Sequence, residues 1–508
     1  MPFLVFACAF AILLRRLVDP DIWTHLTIGR EVVRLGGVPP TEFYVAPLLG
    51  QPGHFNEWGF GLLYYLAHQA GGVTAMVVLN AAIAALPFLC LFAILRRRAG
   101  GQDWAALTLV AAALWIAEFR LSYRPEMMLY LAAFATLYGL ERFEADGRRR
   151  WLLVLPVACF LLAQFHPSVL IVLIFAGGKL LDALRQPEGR QRAPWLLAAM
   201  LGAGALACVN PYGADQVLLP LRFAFDQPLL SGITELLPAL ETEVASRFLV
   251  AGLVGAAAFA FLRRRTRISD FLLFLCFAVL AYRHARNVAL FGLIAVLPAA
   301  SALAALRLPR RWAAALPAAA FLGAGLPLVA DADWGPGIDE RVTPLRAPQQ
   351  LVRSHDRGTV LGFFHLGNYL AWSLYPQRLV IADARNFSYT ASLDLHDRLF
   401  RADPGWEQLL RQSGVAAVVT PMTLGYSGEF IPLASRLLAS PDWILAVREP
   451  AGLTFVRADG DAPAPLPPAE AWDQAAAELE HNLTIYPDSI ESRKNLEISI
   501  RNREALHP

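Results

Sequence analysis

Asp19-Pro20-Asp21-Ile22-Trp23-Thr24-His25-Leu26-Thr27-Ile28-Gly29-Arg30 follows an apolar run over residues 2–18 that is broken only by Arg15-Arg16. Asp before Pro marks a helix start, with Pro20 at the first helical position and the Asp19 carboxylate free to take an orphan amide. The same pair reads a second way: carboxylates one residue apart, Asp19 and Asp21, can share a divalent cation. His25 lies four residues after Asp21 on the same helical face, placed either to orient that carboxylate by hydrogen bond or to sit at a membrane interface. Downstream come Gly36-Gly37-Val38-Pro39-Pro40-Thr41-Glu42-Phe43 and His54-Phe55-Asn56-Glu57-Trp58. Glu57 is a second acid or a solvated loop residue, and Trp23 and Trp58 read as interface-belt aromatics or as sugar platforms.

The surroundings of this stretch are apolar. Of 508 residues, 56% are hydrophobic and 17% charged, against roughly 25% charged in soluble proteins, and the mean hydropathy is +0.44. That composition excludes a soluble enzyme and a disordered chain. Forty-four basic and 42 acidic residues leave a net charge of +2, too little for a field that recruits nucleic acid. Cys8, Cys90, Cys159, Cys208 and Cys276 all lie in apolar runs and read as small hydrophobes, not as a disulfide framework or thiolate metal site. Residues 1–18 end without a small-residue cleavage site and read as a retained first span.

Apolar stretches approaching bilayer thickness, about 17 to 25 residues, recur at 2–18, 73–95, 104–121, 127–143, 151–165, 167–184, 194–209, 246–262, 269–282, 287–306 and 312–330. Between alternate stretches lie Arg96-Arg97-Arg98, Arg148-Arg149-Arg150, Arg185 with Arg190 and Arg192, Arg263-Arg264-Arg265 with Arg267, and Arg307 with Arg310-Arg311. The positive-inside rule assigns all five groups to the cytoplasm, with the N-terminus, and places residues 19–72 and everything after about 331 outside. Arg15-Arg16 then sit at an outer end, snorkelling to the interface or meeting an anionic lipid head group. The expected fold class is an α-helical polytopic membrane protein with about eleven transmembrane helices over residues 1–330, interrupted by a large first external loop, 19–72. Beyond it, short β-rich segments at Thr359 to Phe364, Arg378 to Ala382, Val415 to Thr420, and Ile444 to Val447 paired with Leu453 to Val456 predict an extracytoplasmic α/β domain over 331–460. A Pro-rich linker, 461–471, leads to a helical tail, 472–508, with faint tetratricopeptide spacing.

The inner ends of the spans carry Arg runs that orientation alone explains. The outer ends differ in kind: Asp19, Asp21 and His25; Glu118, Arg120, Arg124 and Glu126; His166; Asn210 and Tyr212; and Arg283, His284, Arg286 and Asn287. Ionisable groups near membrane depth are costly unless they face a protein interior or a wet cavity. Carboxylates and guanidiniums together suit an anionic ligand such as a lipid phosphate, with Arg forks on its oxygens and a carboxylate left for base or metal work. On this electrostatic ground Arg124, Arg283 and Arg286 are phosphate contacts, with His25, Glu126 and His166 beside them.

The Asp-Pro-Asp-x-Trp-x-His-Leu-x-x-Gly-Arg stretch, followed by Gly-x-Val-Pro and an acid-Trp pair, resembles the first external loop of bacterial polytopic glycosyltransferases of the GT-C type, a superfamily that includes protein O-mannosyltransferases, oligosaccharyltransferases and aminoarabinose transferases. Arg124-Pro125-Glu126, His166-Pro167, Asn210-Pro211-Tyr212-Gly213, Arg286-Asn287-Val288-Ala289-Leu290-Phe291 and Gly367-Asn368-Tyr369-Leu370-Ala371-Trp372 extend the resemblance over residues 19 to about 457. It implies a sugar moved from a polyprenyl-phosphate carrier outside the membrane. It also implies that an acid of the first loop is the general base or metal ligand. Asp19 and Asp21 match that motif, and Glu57 falls near a second acidic position. The cofactor so implied is at most a divalent cation, magnesium or manganese, on Asp19 and Asp21. Two departures stand out: Trp23-Thr24 replaces a frequent Trp-Trp pair, and the Trp-Trp-Asp-Tyr-Gly motif of oligosaccharyltransferases is missing, which argues against oligosaccharide transfer to asparagine. The competing functions are a catalytically silent scaffold that docks a protein partner through its outer domain or tail, and a lipid-linked sugar transporter. The latter ranks last because the chain shows no internal repeat.

Overall fold

The computed structural model describes residues 1–225, 234–262, 266–306, 308–330, 333–353, 357–385, 390–458 and 463–506. Arg263-Arg264-Arg265, Arg307, the boundary residue Asp331 and the first residues of the 461–471 stretch lie outside them. The chain forms two compact units, one of Met1–Leu17 and Asn56–Gly337, the other of Val18–Phe55 and Ile338–Pro508. The single sequence boundary at 331 is thus replaced by three crossings, and most of the first external loop packs with the C-terminal residues.

The first unit is helical. A helix lies in each of the eleven apolar stretches. Among the described residues, four helices are long and apolar enough to cross a membrane: Trp58–Arg98, Ala245–Leu262, Ala285–Ala304 and Arg310–Ala330. Trp58–Arg98 is two helices in line, broken at Gly71-Gly72, where Gly72 adopts φ 62°, a backbone region open to glycine at little cost. The first helix, Pro2–Leu13, stops short of the predicted residue 18. Its continuation pairs through the backbone instead: the Arg16 and Leu17 amides donate to the carbonyls of Asp333 and Gly337, and Gly335 donates to Leu14, each at 2.8 Å.

Orientation alone does not explain the arginine runs. The Arg98 side chain is only 3% exposed and forms ion pairs with Glu141 at 2.6 Å and Asp270 at 2.7 Å. Lys179, also buried, lies 3.7 Å from Glu141 and 3.3 Å from Glu144, while Asp182 accepts the amide and the hydroxyl of Ser269. Four helices, Trp58–Arg98, Glu126–Asp146, Val169–Arg185 and Ile268–Arg283, are joined by these charges. Buried ions persist only when paired this closely.

The second unit is built on a four-stranded sheet: β1 (Thr359–Gly362), β2 (Val415–Thr420), β3 (Trp443–Glu449) and β4 (Gly452–Arg457), in the order β1-β2-β4-β3. β1 and β2 are parallel and the other pairs antiparallel. Every residue of β2 is buried, as a strand covered on both faces requires. Side chains alternate between faces: Leu361, Val418 and Phe455 join a core with Leu399, Leu433, Ala471 and Ala475, whereas Val360, Ala417 and Val419 pack with Leu366, Leu370 and the first-loop residues Tyr44, Val45 and Leu48. The predicted strand Arg378 to Ala382 is reduced to bridges at Val380, which pairs with both Val360 and Val45. Ala469–Ile485 begins inside the stretch read as linker. Its Ala471 and Ala475 lie in the core of the sheet domain, and its Glu478 carboxylate accepts the amides of Met422 and Thr423 at 2.7–3.1 Å.

Candidate functional site

In the second unit the decisive stretch forms the helix Asp21–Leu35, closed by Gly36 in the left-handed region at φ 69°. Asp19 Oδ1 accepts the Asp21 amide at 3.1 Å, so Asp19 does the work of a cap one residue before Pro20. It is 6% exposed. Asp21 opens the helix, where the exposed amides favour negative charge, and its Oδ1 accepts the Asn368 side-chain amide at 3.1 Å. His25 is buried one turn further along. Trp23, read as a belt aromatic or a sugar platform, packs inside the second unit. It is buried, edge-on to Tyr369 with ring centroids 4.8 Å apart and stacked on Trp372 at 6.4 Å. Arg30 lies over the Trp372 ring at 4.6 Å and donates to the Trp372 carbonyl, so the Gly-Arg end of the motif is packing too. Tyr44, Asp383, Arg385 and Glu42 form a buried polar chain: Arg385 binds Asp383 at 2.8 Å and Glu42 at 3.1 Å, and the Tyr44 hydroxyl donates to Asp383.

In the first unit polar residues from the ends of several helices come together. Arg120 pairs with Glu126 and, at 2.5 Å, with Glu235; Arg124 reaches the same Glu235 oxygen at 2.8 Å. His166 Nε2 lies 3.7 Å from Glu57. His166 and Arg286 are in electrostatic reach of Glu126, and Arg286 of Glu235. Burial alone would raise the Glu235 carboxyl, but the Arg120 and Arg124 guanidiniums hold it down at about 2. Five residues predicted from sequence, Glu57, Arg124, Glu126, His166 and Arg286, are therefore neighbours. Arg283 is not one of them; it is exposed at a helix end and makes no ion pair among the described residues. Glu235 was missed, because it sits in a polar loop with no periodicity and is marked only by its sign opposite a surplus of arginine. Arg15 is held by Glu118 at 3.1 Å, and Glu118 also binds Arg247 at 2.5 Å, so Arg15 meets a carboxylate of the protein rather than only the interface.

Among the described residues no three His, Cys, Asp or Glu side chains gather as metal ligands. Of the two carboxylates read as cation ligands, Asp19 accepts the Asp21 amide and Asp21 accepts the Asn368 amide, one oxygen each.

No protein-family model and no curated sequence matches the chain. Solved structures do. The oligosaccharyltransferase of Archaeoglobus fulgidus in complex with zinc and sulfate superposes at TM-score 0.59 and 14% identity, over 94% of this chain and 76% of its own. AglB from the same organism, with an inhibitory peptide and a dolichol-phosphate, superposes at 0.57 and 12% identity over 94% and 77%. ArnT from Cupriavidus metallidurans, bound to undecaprenyl phosphate, superposes at 0.56 and 14% identity over 91% and 98%. These neighbours are GT-C polytopic membrane glycosyltransferases, and the chain shares their fold.

Proposed function

We propose that the protein is a membrane glycosyltransferase that moves a sugar from a polyprenyl-phosphate-linked donor to an acceptor on the extracytoplasmic side, with the N-terminus cytoplasmic. The observation that carries this reading is the gathering of Arg120, Arg124, His166 and Arg286 around Glu126 and Glu235 at the outer helix ends, in a fold whose solved relatives hold dolichol-phosphate or undecaprenyl phosphate. A polyprenyl phosphate leaves as an anion, so the protein must neutralise charge on it and deprotonate an acceptor hydroxyl. Arg124 and Arg286 are assigned to the phosphate, with Arg120 added to them; a phosphate entering there exchanges for a carboxylate already on the guanidinium. Asp21 is assigned as the base and Asp19 as its orienter. Glu57, with His166 on it, is a second acid for the acceptor. A divalent cation, when bound, would be held by Asp19 and Asp21 and would supply further neutralisation of phosphate charge.

The test is native mass spectrometry of protein purified in mild detergent, comparing the native chain with Asp21→Asn. A co-purifying polyprenyl-phosphate sugar, enriched in the variant, supports a transferase stopped before chemistry and names the donor. No such lipid in either form, with the fold intact, moves the assignment to a non-catalytic scaffold whose surface for a partner protein is the outer domain or tail.

A further inference from the structure

Asn368 is fully buried in the first turn of Leu366–Leu374. The turn can come this close to its neighbours because residue 367 is glycine: a Cβ there would stand 2.2 Å from the Ala382 carbonyl oxygen. Seated so, the Asn368 amide joins two distant segments. Its Nδ2 donates to Asp21 Oδ1 at 3.1 Å and to the Pro20 carbonyl at 3.3 Å, and its Oδ1 accepts the Ala384 amide at 2.8 Å. Residue 384 is itself fixed, since Asp383 beside it is fully buried and bound by Tyr44 and Arg385, and Arg385 is bound in turn by Glu42. Both ends of the Asn368 side chain are thereby determined by packing, which leaves the amide hydrogens directed at the start of the first-loop helix.

An N–H donated to a carboxylate favours its ionised form and restricts its rotation, and a reacting group needs such support to stay within a fraction of an ångström of its working position. We propose that Asn368 is the positioning residue of Asp21, holding that carboxylate in one orientation toward the acceptor. This rests on the reading of Asp21 as the base. A buried amide needs acceptors for its Nδ2 hydrogens on packing grounds alone; what a role in positioning adds is that one of them is the Asp21 carboxylate.

Two variants separate the halves of the amide. Asn368→Asp keeps an oxygen for Ala384 but loses the donor to Asp21, and Asn368→Leu loses both; Asn368→Gln restores an amide. Turnover is read as polyprenyl phosphate released from a total lipid-linked-sugar extract in the presence of a delipidated cell-envelope extract that supplies the acceptor hydroxyl. Folding is read separately, as the melting temperature in detergent. The expected result is a fall in kcat of about tenfold or more with KM held within about twofold for Asp and Leu, partial recovery with Gln, and no further loss from Asn368→Asp in an Asp21→Asn background. A kcat unchanged in Asn368→Leu, or a fall equally large in the Asp21→Asn background, overturns the proposal. Native turnover in Asp21→Asn overturns the base assignment instead, whatever the Asn368 variants do.

Discussion

At the scale of single residues, charge placement separates what the sequence states from what it conceals. The Arg96-Arg97-Arg98 run announces a helix end, yet Arg98 alone is buried and serves Glu141 and Asp270. Arg98→Ala would leave the buried Asp270 carboxylate uncompensated and take from Glu141 its shortest ion pair, at a cost of about 3–5 kcal/mol. The expected outcome is a lower melting temperature in detergent, whereas Arg97→Ala should melt as the native chain does; equal melting of the two would remove the staple role. Glu235 shows the opposite limit: a loop acid acquires meaning only from Arg120 and Arg124, more than a hundred positions earlier in the chain. Asp19 and Asp21 were legible because adjacent carboxylates around a proline are informative by themselves. Asn368 stood in a recognisable motif, but its partner was invisible there.

At the scale of elements, helices were the most legible feature, since each long apolar stretch can satisfy its backbone in lipid only by coiling. Strands were less so. Arg378 to Ala382 has the composition of a strand and keeps only bridges at Val380. The segment after β1 carries a prediction of its own. His396 is buried, and its Nε2 accepts the Phe364 amide at 3.2 Å, which requires the neutral ring. Burial lowers its pKa from the ordinary 6.5, against the pull of the neighbouring Asp397. The unfolded chain therefore binds a proton in a window below 6.5 that the folded one refuses, and stability falls as pH drops through that window. The melting temperature of the C-terminal unit should be lower at about pH 5.5 than at about pH 7.5, with a smaller difference in His396→Leu; an unchanged difference would assign the acid sensitivity elsewhere.

At the scale of the molecule, the division into units was the least legible feature. Tyr44, Val45 and Leu48 complete a core with Leu366, Leu370 and Val419, and no local pattern announces a partnership between residues so far apart. A chain ending after residue 337 should leave Val18–Phe55 open to protease while the helical unit resists. Protection of Val18–Phe55 in that shortened chain would show that the segment folds without the sheet.

The same interleaving sets an order of birth. Residues 56–337 must be synthesised between the two parts of the second unit, which at about 5–20 residues per second takes tens of seconds. Through that interval Tyr44, Val45 and Leu48 have emerged without the strands that will cover them. The ribosome thus releases an adhesive, half-made domain long before its other half exists, and the cell has to keep that segment single until the last third of the chain arrives.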